Sequence, residues 1–107
     1  MKKIGKLVRN RMPEILADSG VKATFQIATK DEYGSYLEQQ LEEAVADYIK
    51  YKDPECLLTI HEAVLALAND RQGDSEIVFL DKCRKKMLER GSLSKRVILL
   101  EIEEDEE

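Results

Sequence analysis

The feature that most constrains the fold is a long amphipathic stretch in the first half of the chain. Between residues 31 and 51, apolar side chains recur every three or four positions, which is the spacing of one face of an α-helix. That face comprises Tyr33, Leu37, Leu41, Ala44, Val45, Tyr48 and Ile49. An apolar stripe on a helix has to be buried against another element, so the sequence predicts a fold built from packed helices.

A second helix is predicted directly after a break at residues 52–54. Asp53 can cap this helix and Pro54 suits its first turn, and we expect the helix to run to about residue 70. It is apolar almost all round, through Leu57, Leu58, Ile60, Val64, Leu65, Leu67 and Ala68. We therefore expect two antiparallel helices, with the second at the centre of a bundle or in a subunit interface, and a homodimer or homotetramer.

The other elements are shorter. A helix is predicted for residues 13–20, ending at Gly20, and another for about residues 75–90, opened by Asp74, ended by Gly91 and strongly basic on its outer face. Residues 21–28 and 96–102 are β-prone and could pair into a small β-ribbon beside the helices. The predicted fold class is therefore all-α, a mainly helical antiparallel bundle.

Length and composition predict one globular domain that spans residues 1–107. Of the 107 residues, 43% are hydrophobic and 36% charged, which suits a helix-rich protein. Six of the 22 acids lie in residues 101–107, which we expect to be a frayed tail, and residues 1–100 then hold 17 bases and 16 acids. This balance makes nucleic acid a poor candidate partner.

Without a membrane-length apolar run or a signal-peptide core, we expect a cytoplasmic protein that does not bind membranes. We also expect Cys56 and Cys83 to be reduced.

Three phrases, in order along the chain, carry a resemblance to a known family. They are KLVRNRMPEIL at residues 6–16, LEEAVADY at 41–48 and ERGSLSKRV at 89–97. Together they resemble the MazG-like nucleotide pyrophosphohydrolases, in particular the subfamily similar to phosphoribosyl-ATP pyrophosphohydrolase. The resemblance implies an oligomeric four-helix-type fold. It also implies Mg²⁺-dependent hydrolysis of a nucleoside triphosphate to monophosphate and pyrophosphate, or hydrolysis of phosphoribosyl-ATP.

The resemblance also implies where the metal ligands would lie. The family pattern is EExxE on one helix and ExxD on the next, and acids three or four residues apart share a helix face and supply the oxygen ligands that Mg²⁺ prefers. Matched onto this chain, the first motif gives Glu43 and Asp47 as catalytic and metal-binding candidates, with Ala44 in place of one acid. The second motif falls on Cys56 and Thr59, which are not acidic.

No shift of the alignment restores the missing acids. Moving the first motif by one residue gives Glu42, Glu43 and Ala46, and it leaves the second helix unchanged. Helical rotation predicts that Glu55 and Glu62 lie on a different side from the second motif, so neither is expected to replace a ligand. We therefore expect a weak or substrate-dependent Mg²⁺ site and an activity that is weak or lost. The alternative is a non-catalytic nucleotide-binding or protein-interaction module on the same fold.

Basic residues near both ends of the chain are candidates for binding a nucleotide or a related phosphate ligand. They are Lys6, Arg9, Arg11, Arg90, Lys95 and Arg96. Arg9 is the best of them, because a guanidinium binds phosphate bidentately and the family phrase retains an arginine there. The equally weighted alternative is that these residues pair with acids at a subunit contact. For His61 we expect a packing or interface role and for Cys56 a packing role, rather than catalytic ones.

Overall fold

A computed structural model describes residues 4–103, which form four helices. These are α1 (Met12–Asp18), α2 (Lys30–Tyr51), α3 (Glu55–Gln72) and α4 (Glu76–Arg90). The all-α prediction is confirmed, and each helix ends within two residues of its predicted bounds. Across residues 4–103, no helix is both long and apolar enough to cross a membrane. Residues 104–107, most of the predicted acidic tail, lie outside the described part of the chain.

Local hydrogen bonds explain where α2 and α3 begin. Thr29 and Glu32 form a reciprocal capping box, in which the Thr29 hydroxyl accepts from the Glu32 N–H and the Glu32 carboxylate accepts from the Thr29 N–H. At the break, Asp53 Oδ1 accepts from the Glu55 N–H at 3.0 Å, but the N-cap residue of α3 is Pro54, so Asp53 lies one position before the cap that the sequence predicted it to be. Lys52 is left-handed, with φ of 57°, and reverses the chain so that α3 returns along α2.

Small residues allow α2 and α3 to pack closely. The buried positions are Gly34, Leu37 and Ala44 on α2, and Ala63 and Ala68 on α3. A Cβ atom at Gly34 would lie only 2.6 Å from Cζ of Arg71, so glycine lets this arginine cross α2. The Arg71 guanidinium thereby reaches Glu38, with an N···O distance of 2.8 Å. The contact places the end of α3 beside the beginning of α2, as the antiparallel prediction requires.

Helix α3 is central, as predicted, because it contacts both α2 and α4 while α4 does not contact α2. The turn between α3 and α4 is held by Asp74, whose side chain is only 9% exposed and accepts a 2.7 Å hydrogen bond from Lys82. Asn69 donates to the Asp74 carbonyl oxygen from the last turns of α3. Ser75 caps α4 by accepting from the Val78 N–H.

The β-ribbon predicted from residues 21–28 and 96–102 is not formed, because residues 4–103 contain no strand. A two-stranded ribbon is marginal in water unless one face packs against other elements. Here nearly every side chain in both segments is exposed, including Phe25, Ile27 and Ile98. The helices therefore provide no covered surface on which the ribbon could form within this chain.

The single chain has a small core for its length. Among residues 4–103, the buried apolar side chains are those of Leu37, Ala44, Ala63 and Ala68. The radius of gyration is 19.0 Å, whereas a compact domain of this length has roughly 13 Å. Much apolar surface therefore remains in contact with water.

Candidate functional site

The site is built by the N-terminal segment, residues 4–11, which reaches both α2 and α3 through two basic side chains. Lys6 Nζ lies 3.1 Å from Glu43 Oε1 on α2. Arg9 Nη1 donates to both carboxylate oxygens of Glu62 on α3, at 2.7 and 2.9 Å, and Nη2 donates to the Thr59 hydroxyl at 3.3 Å. Two predicted phosphate ligands are thus brought to the helices that carry the predicted metal motifs.

The candidate acids of α2 lie in different surroundings. The Glu43 side chain is about half exposed, and Asp47 is half-buried one turn further along. The pKa of Cys56 is raised, first by its partial burial and then by the negative charges of Asp53, Asp47 and Glu55. The charge of Asp47 on the first motif therefore acts on Cys56 of the second, whereas Glu43 pairs with Lys6.

The prediction that Glu62 lies away from the second motif is wrong. Thr59 and Glu62 bind the same guanidinium, because side chains three residues apart on a helix are neighbours on its surface. The rotation of roughly 60° between them is small beside the reach of a glutamate and an arginine. Glu62 is therefore an acid of the site that the sequence analysis set aside. Its hydrogen bond and its charge raise the pKa of Arg9, with a smaller contribution from Glu55.

The donor set does not fit a metal cage made by protein alone. Among residues 4–103, no group of three or more histidine, cysteine, aspartate or glutamate side chains is placed to hold a metal ion. The carboxylates of Glu43 and Glu62 are instead paired with Lys6 and Arg9. We derive no catalytic step that depends on Mg²⁺ from this arrangement.

A groove of about 510 Å³ separates the N-terminal segment from α2. Its lining consists of Ile4, Gly5, Lys6, Gln39, Glu42, Glu43 and Ala46. The groove is wide open to solvent, unlike the enclosed pockets that bury most of a small ligand. The wall carries one cation and two carboxylates, so a ligand in this groove has to satisfy both signs of charge.

The remaining predicted phosphate ligands lie apart from this groove. Arg11 pairs with Glu14 on α1, with an N···O distance of 3.3 Å. Arg90, Lys95 and Arg96 are exposed at and beyond the end of α4. In the part of the chain that the structure describes, no ion pair or side-chain hydrogen bond joins these three residues to the acids of α2 and α3. Within residues 4–103, these contacts therefore do not link the second group of predicted phosphate ligands to the site of Lys6 and Arg9.

Neither His61 nor Cys56 forms a catalytic arrangement. His61 is exposed on α3, so it is not packed within the chain, and its predicted alternative role at an interface stays a prediction. Cys56 is half-buried and is a free thiol whose raised pKa keeps it protonated at neutral pH. A protonated thiol is a poor nucleophile, which agrees with the predicted packing role.

Comparison of the chain with protein-family models, curated proteins and solved structures gave no significant match.

Proposed function

We propose that this chain is a MazG-like nucleotide-binding protein that holds the phosphate chain of a nucleoside triphosphate beside α2 and α3, with pyrophosphohydrolase activity weak or lost. The observation that supports this proposal most is the convergence of Lys6 and Arg9 on the two helices that carry the family motifs. The departures at Ala44, Cys56 and Thr59 support the loss of efficient hydrolysis, because they remove acidic ligands.

Binding requires an exchange of ion-pair partners. The side chains of Lys6, Glu43, Arg9 and Glu62 are between 45% and 60% exposed, and ion pairs this exposed contribute only about 0–1 kcal/mol. A triphosphate carries several negative charges and accepts bidentate hydrogen bonds from a guanidinium, which makes it a stronger partner than one exposed carboxylate. Breaking the two ion pairs therefore costs little free energy, and the contacts of Lys6 and Arg9 with the ligand offset this cost.

The acids released by this exchange limit the affinity. Glu43 and Glu62 would then face the ligand without their cations, and like charges repel. A divalent cation held jointly by a carboxylate and by phosphate oxygens relieves such repulsion, and Mg²⁺ is commonly bound through one or two carboxylates plus substrate phosphates. We propose that Mg²⁺ makes only this weak, ligand-dependent contribution, through Glu43 and Asp47.

The binding proposal is tested by titrating the full chain with ATP in a calorimeter and comparing Arg9→Ala with Arg84→Ala. Arg84 is an exposed arginine of α4 and serves as the matched control. Loss of a charge-assisted phosphate contact should weaken binding about tenfold in the first variant, equivalent to about 1.4 kcal/mol. The control variant should bind like the parent. Equal affinities for ATP in both variants would show that Arg9 does not bind the nucleotide.

The activity proposal is tested by pyrophosphate release from a panel of nucleoside triphosphates with Mg²⁺ or Mn²⁺. Glu43→Gln and Asp47→Asn keep the size of each side chain and remove its charge. We expect slow release or none from the parent chain, and any release should fall to background in both variants. Fast release that survives both substitutions would exclude these acids from the chemistry.

The second candidate function is a non-catalytic interaction module on the same MazG-like helical fold. Two observations favour it. Lys6 pairs with Glu43 and Arg9 with Glu62, so both cations are neutralised without a ligand. The chain also exposes a large apolar surface. This candidate predicts that no nucleotide raises the thermal unfolding midpoint, because a ligand that binds the native state must stabilise it. In either case we propose a homodimer or homotetramer.

A further inference from the structure

The end of the described chain is an apolar segment without a partner. Residues 97–103 belong to no helix, strand or turn, and within the described residues they make no backbone hydrogen bonds. Their five apolar side chains are between 74% and 87% exposed: Val97, Ile98, Leu99, Leu100 and Ile102. A β-prone segment with unsatisfied N–H and C=O groups is a template for pairing with another chain.

The charges around this segment indicate which chain it pairs with. Lys95 and Arg96 precede the apolar residues, and Glu101 and Glu103 lie at the other end. A parallel, in-register pair of two copies would place like charges opposite each other, which is unfavourable. An antiparallel pair places the basic end of one copy against the acidic end of the other, so the segment is complementary to itself.

We propose that residues 95–103 of two copies pair as antiparallel strands about a two-fold axis at Leu99, which requires Lys95 and Arg96 to leave the turn of the single chain, where Arg96 has a φ of 60°. In this register Lys95 lies opposite Glu103 of the second copy, and Leu99 lies opposite its own counterpart. Side chains alternate between the two faces of a strand, so Ile98, Leu100 and Ile102 share one face with Arg96, which lies opposite Ile102 of the second copy. The register thus combines charge pairing at both ends with an apolar surface that is flanked at each end by Arg96.

The paired strands need a surface to pack on, since a ribbon of two strands is marginal alone. The last turn of α4, separated from this segment by residues 91–94, exposes Met87 and Leu88, the latter at 80%. These side chains are available to the apolar face of the ribbon. Pairing and packing together form one interface.

The surface area of the chain also favours a second copy as the partner. The accessible surface is 10248 Å², whereas a compact monomer of 12.3 kDa has roughly 6000 Å². Permanent homodimers bury about 2000 Å² or more in total. The excess on each chain is large enough to supply such an interface, and the inference does not depend on nucleotide binding.

The test uses the full chain with Cys56→Ala and Cys83→Ser, so that a single new cysteine reports on the contact. Residues directly opposite in an antiparallel pair have Cα atoms about 4.5–5.5 Å apart, within the range of a disulfide. Leu99→Cys should therefore give a covalent dimer with oxidised glutathione. Val97→Cys is the matched control on the same strand face, and its two copies would lie roughly 14 Å apart along the strands.

We expect the Leu99→Cys dimer to form at least about tenfold faster than the Val97→Cys dimer. Sedimentation equilibrium of the otherwise native chain should also show a dimer that Leu99→Lys converts to monomer, because two like charges would then face each other. Helix content should stay unchanged in this variant, since Leu99 is exposed. Equal crosslinking at the two positions, no crosslinking at either, or a dimer that survives Leu99→Lys would each overturn the proposal.

Discussion

Arg9 is the residue whose surroundings most influence the proposed site. Its guanidinium is already protonated at any physiological pH, so the raised pKa caused by Glu62 does not alter its charge. The raised pKa instead reflects the favourable interaction of the guanidinium with the Glu62 carboxylate. The relevant competition is between the Glu62 carboxylate and a phosphate for the same donors. Each proposed role of Arg9 therefore depends on how strongly Glu62 holds it.

Replacing Glu62 with glutamine should strengthen nucleotide binding. The substitution removes the competing carboxylate and one charge that repels phosphate, and an exposed pair of this kind contributes up to about 1 kcal/mol. We expect ATP affinity to rise by up to about fivefold, measured by calorimetry. Glu89→Gln, an exposed α4 residue, is the control for net charge. Weaker binding in Glu62→Gln than in this control would contradict the proposed exchange of partners.

The two thiols should differ in reactivity. Cys83 is exposed, whereas Cys56 is half-buried with a raised pKa. With a disulfide reagent at pH 7.5 we expect one fast thiol, lost in Cys83→Ser, and one slow thiol, lost in Cys56→Ala. Only the thiolate reacts, so the slow phase should accelerate as the pH approaches the raised pKa of Cys56. A fast phase that persists in Cys83→Ser would contradict this assignment.

The raised pKa of Cys56 also predicts how the stability of the fold changes with pH. The folded chain holds the thiol proton more tightly than the unfolded chain, so the thiol stabilises the fold below the unfolded pKa, near 8.5. This contribution is lost as the pH rises above that value. In urea denaturation, the parent should lose more stability between pH 8 and 10 than Cys56→Ala does. Identical losses of stability in the two proteins would argue against a raised pKa of Cys56.

At the residue scale, the sequence predicted positions on helices better than contacts between segments. The placement of Glu43 and Asp47 on α2 and of Cys56 and Thr59 on α3 follows from helical periodicity, which is a local property. The pairing of Lys6 with Glu43 and of Arg9 with Glu62 joins residues 37 and 53 positions apart. Such contacts depend on the path of the N-terminal segment, which no local pattern encodes.

At the element scale, the turn between α3 and α4 depends on one buried carboxylate. Asp74→Ala removes the 2.7 Å hydrogen bond from Lys82 and should lower the free energy of unfolding by about 1–3 kcal/mol. The matched control is Asp81→Ala, because Asp81 pairs with Lys85 while both side chains are exposed. That change should be about 0.5 kcal/mol or less. Urea denaturation measures both values, and equal losses would show that burial of Asp74 does not matter.

The helices were predictable because their signals are local and agree with one another. Apolar periodicity defined α2, Asp53 and Pro54 defined its separation from α3, and Gly91 marked the end of α4. The strands predicted at residues 21–28 and 96–102 were wrong for the single chain. Strand formation needs a partner supplied by tertiary or quaternary structure, and alternation in the sequence does not provide one.

At the scale of the whole molecule, the chain exposes more surface than a compact monomer of its mass. The sequence predicted oligomerisation from an α3 that is apolar almost all round, and Leu57 and Leu58 are indeed exposed in one chain. Periodicity identifies surfaces that need covering, but it does not specify what covers them. The homodimer or homotetramer therefore remains a prediction, and the proposed pairing of residues 95–103 gives it a definite interface.

The measurement that most directly tests the central claim is a calorimetric titration of the full chain with ATP in EDTA, with pyrophosphate assayed in the same sample after Mg²⁺ is added. If Lys6 and Arg9 hold the phosphates, ATP binds without a divalent cation, Mg²⁺ changes the affinity only a few-fold, and little pyrophosphate appears. Absence of binding in EDTA, together with rapid pyrophosphate release once Mg²⁺ is present, would contradict the account and indicate a complete metal-dependent hydrolase.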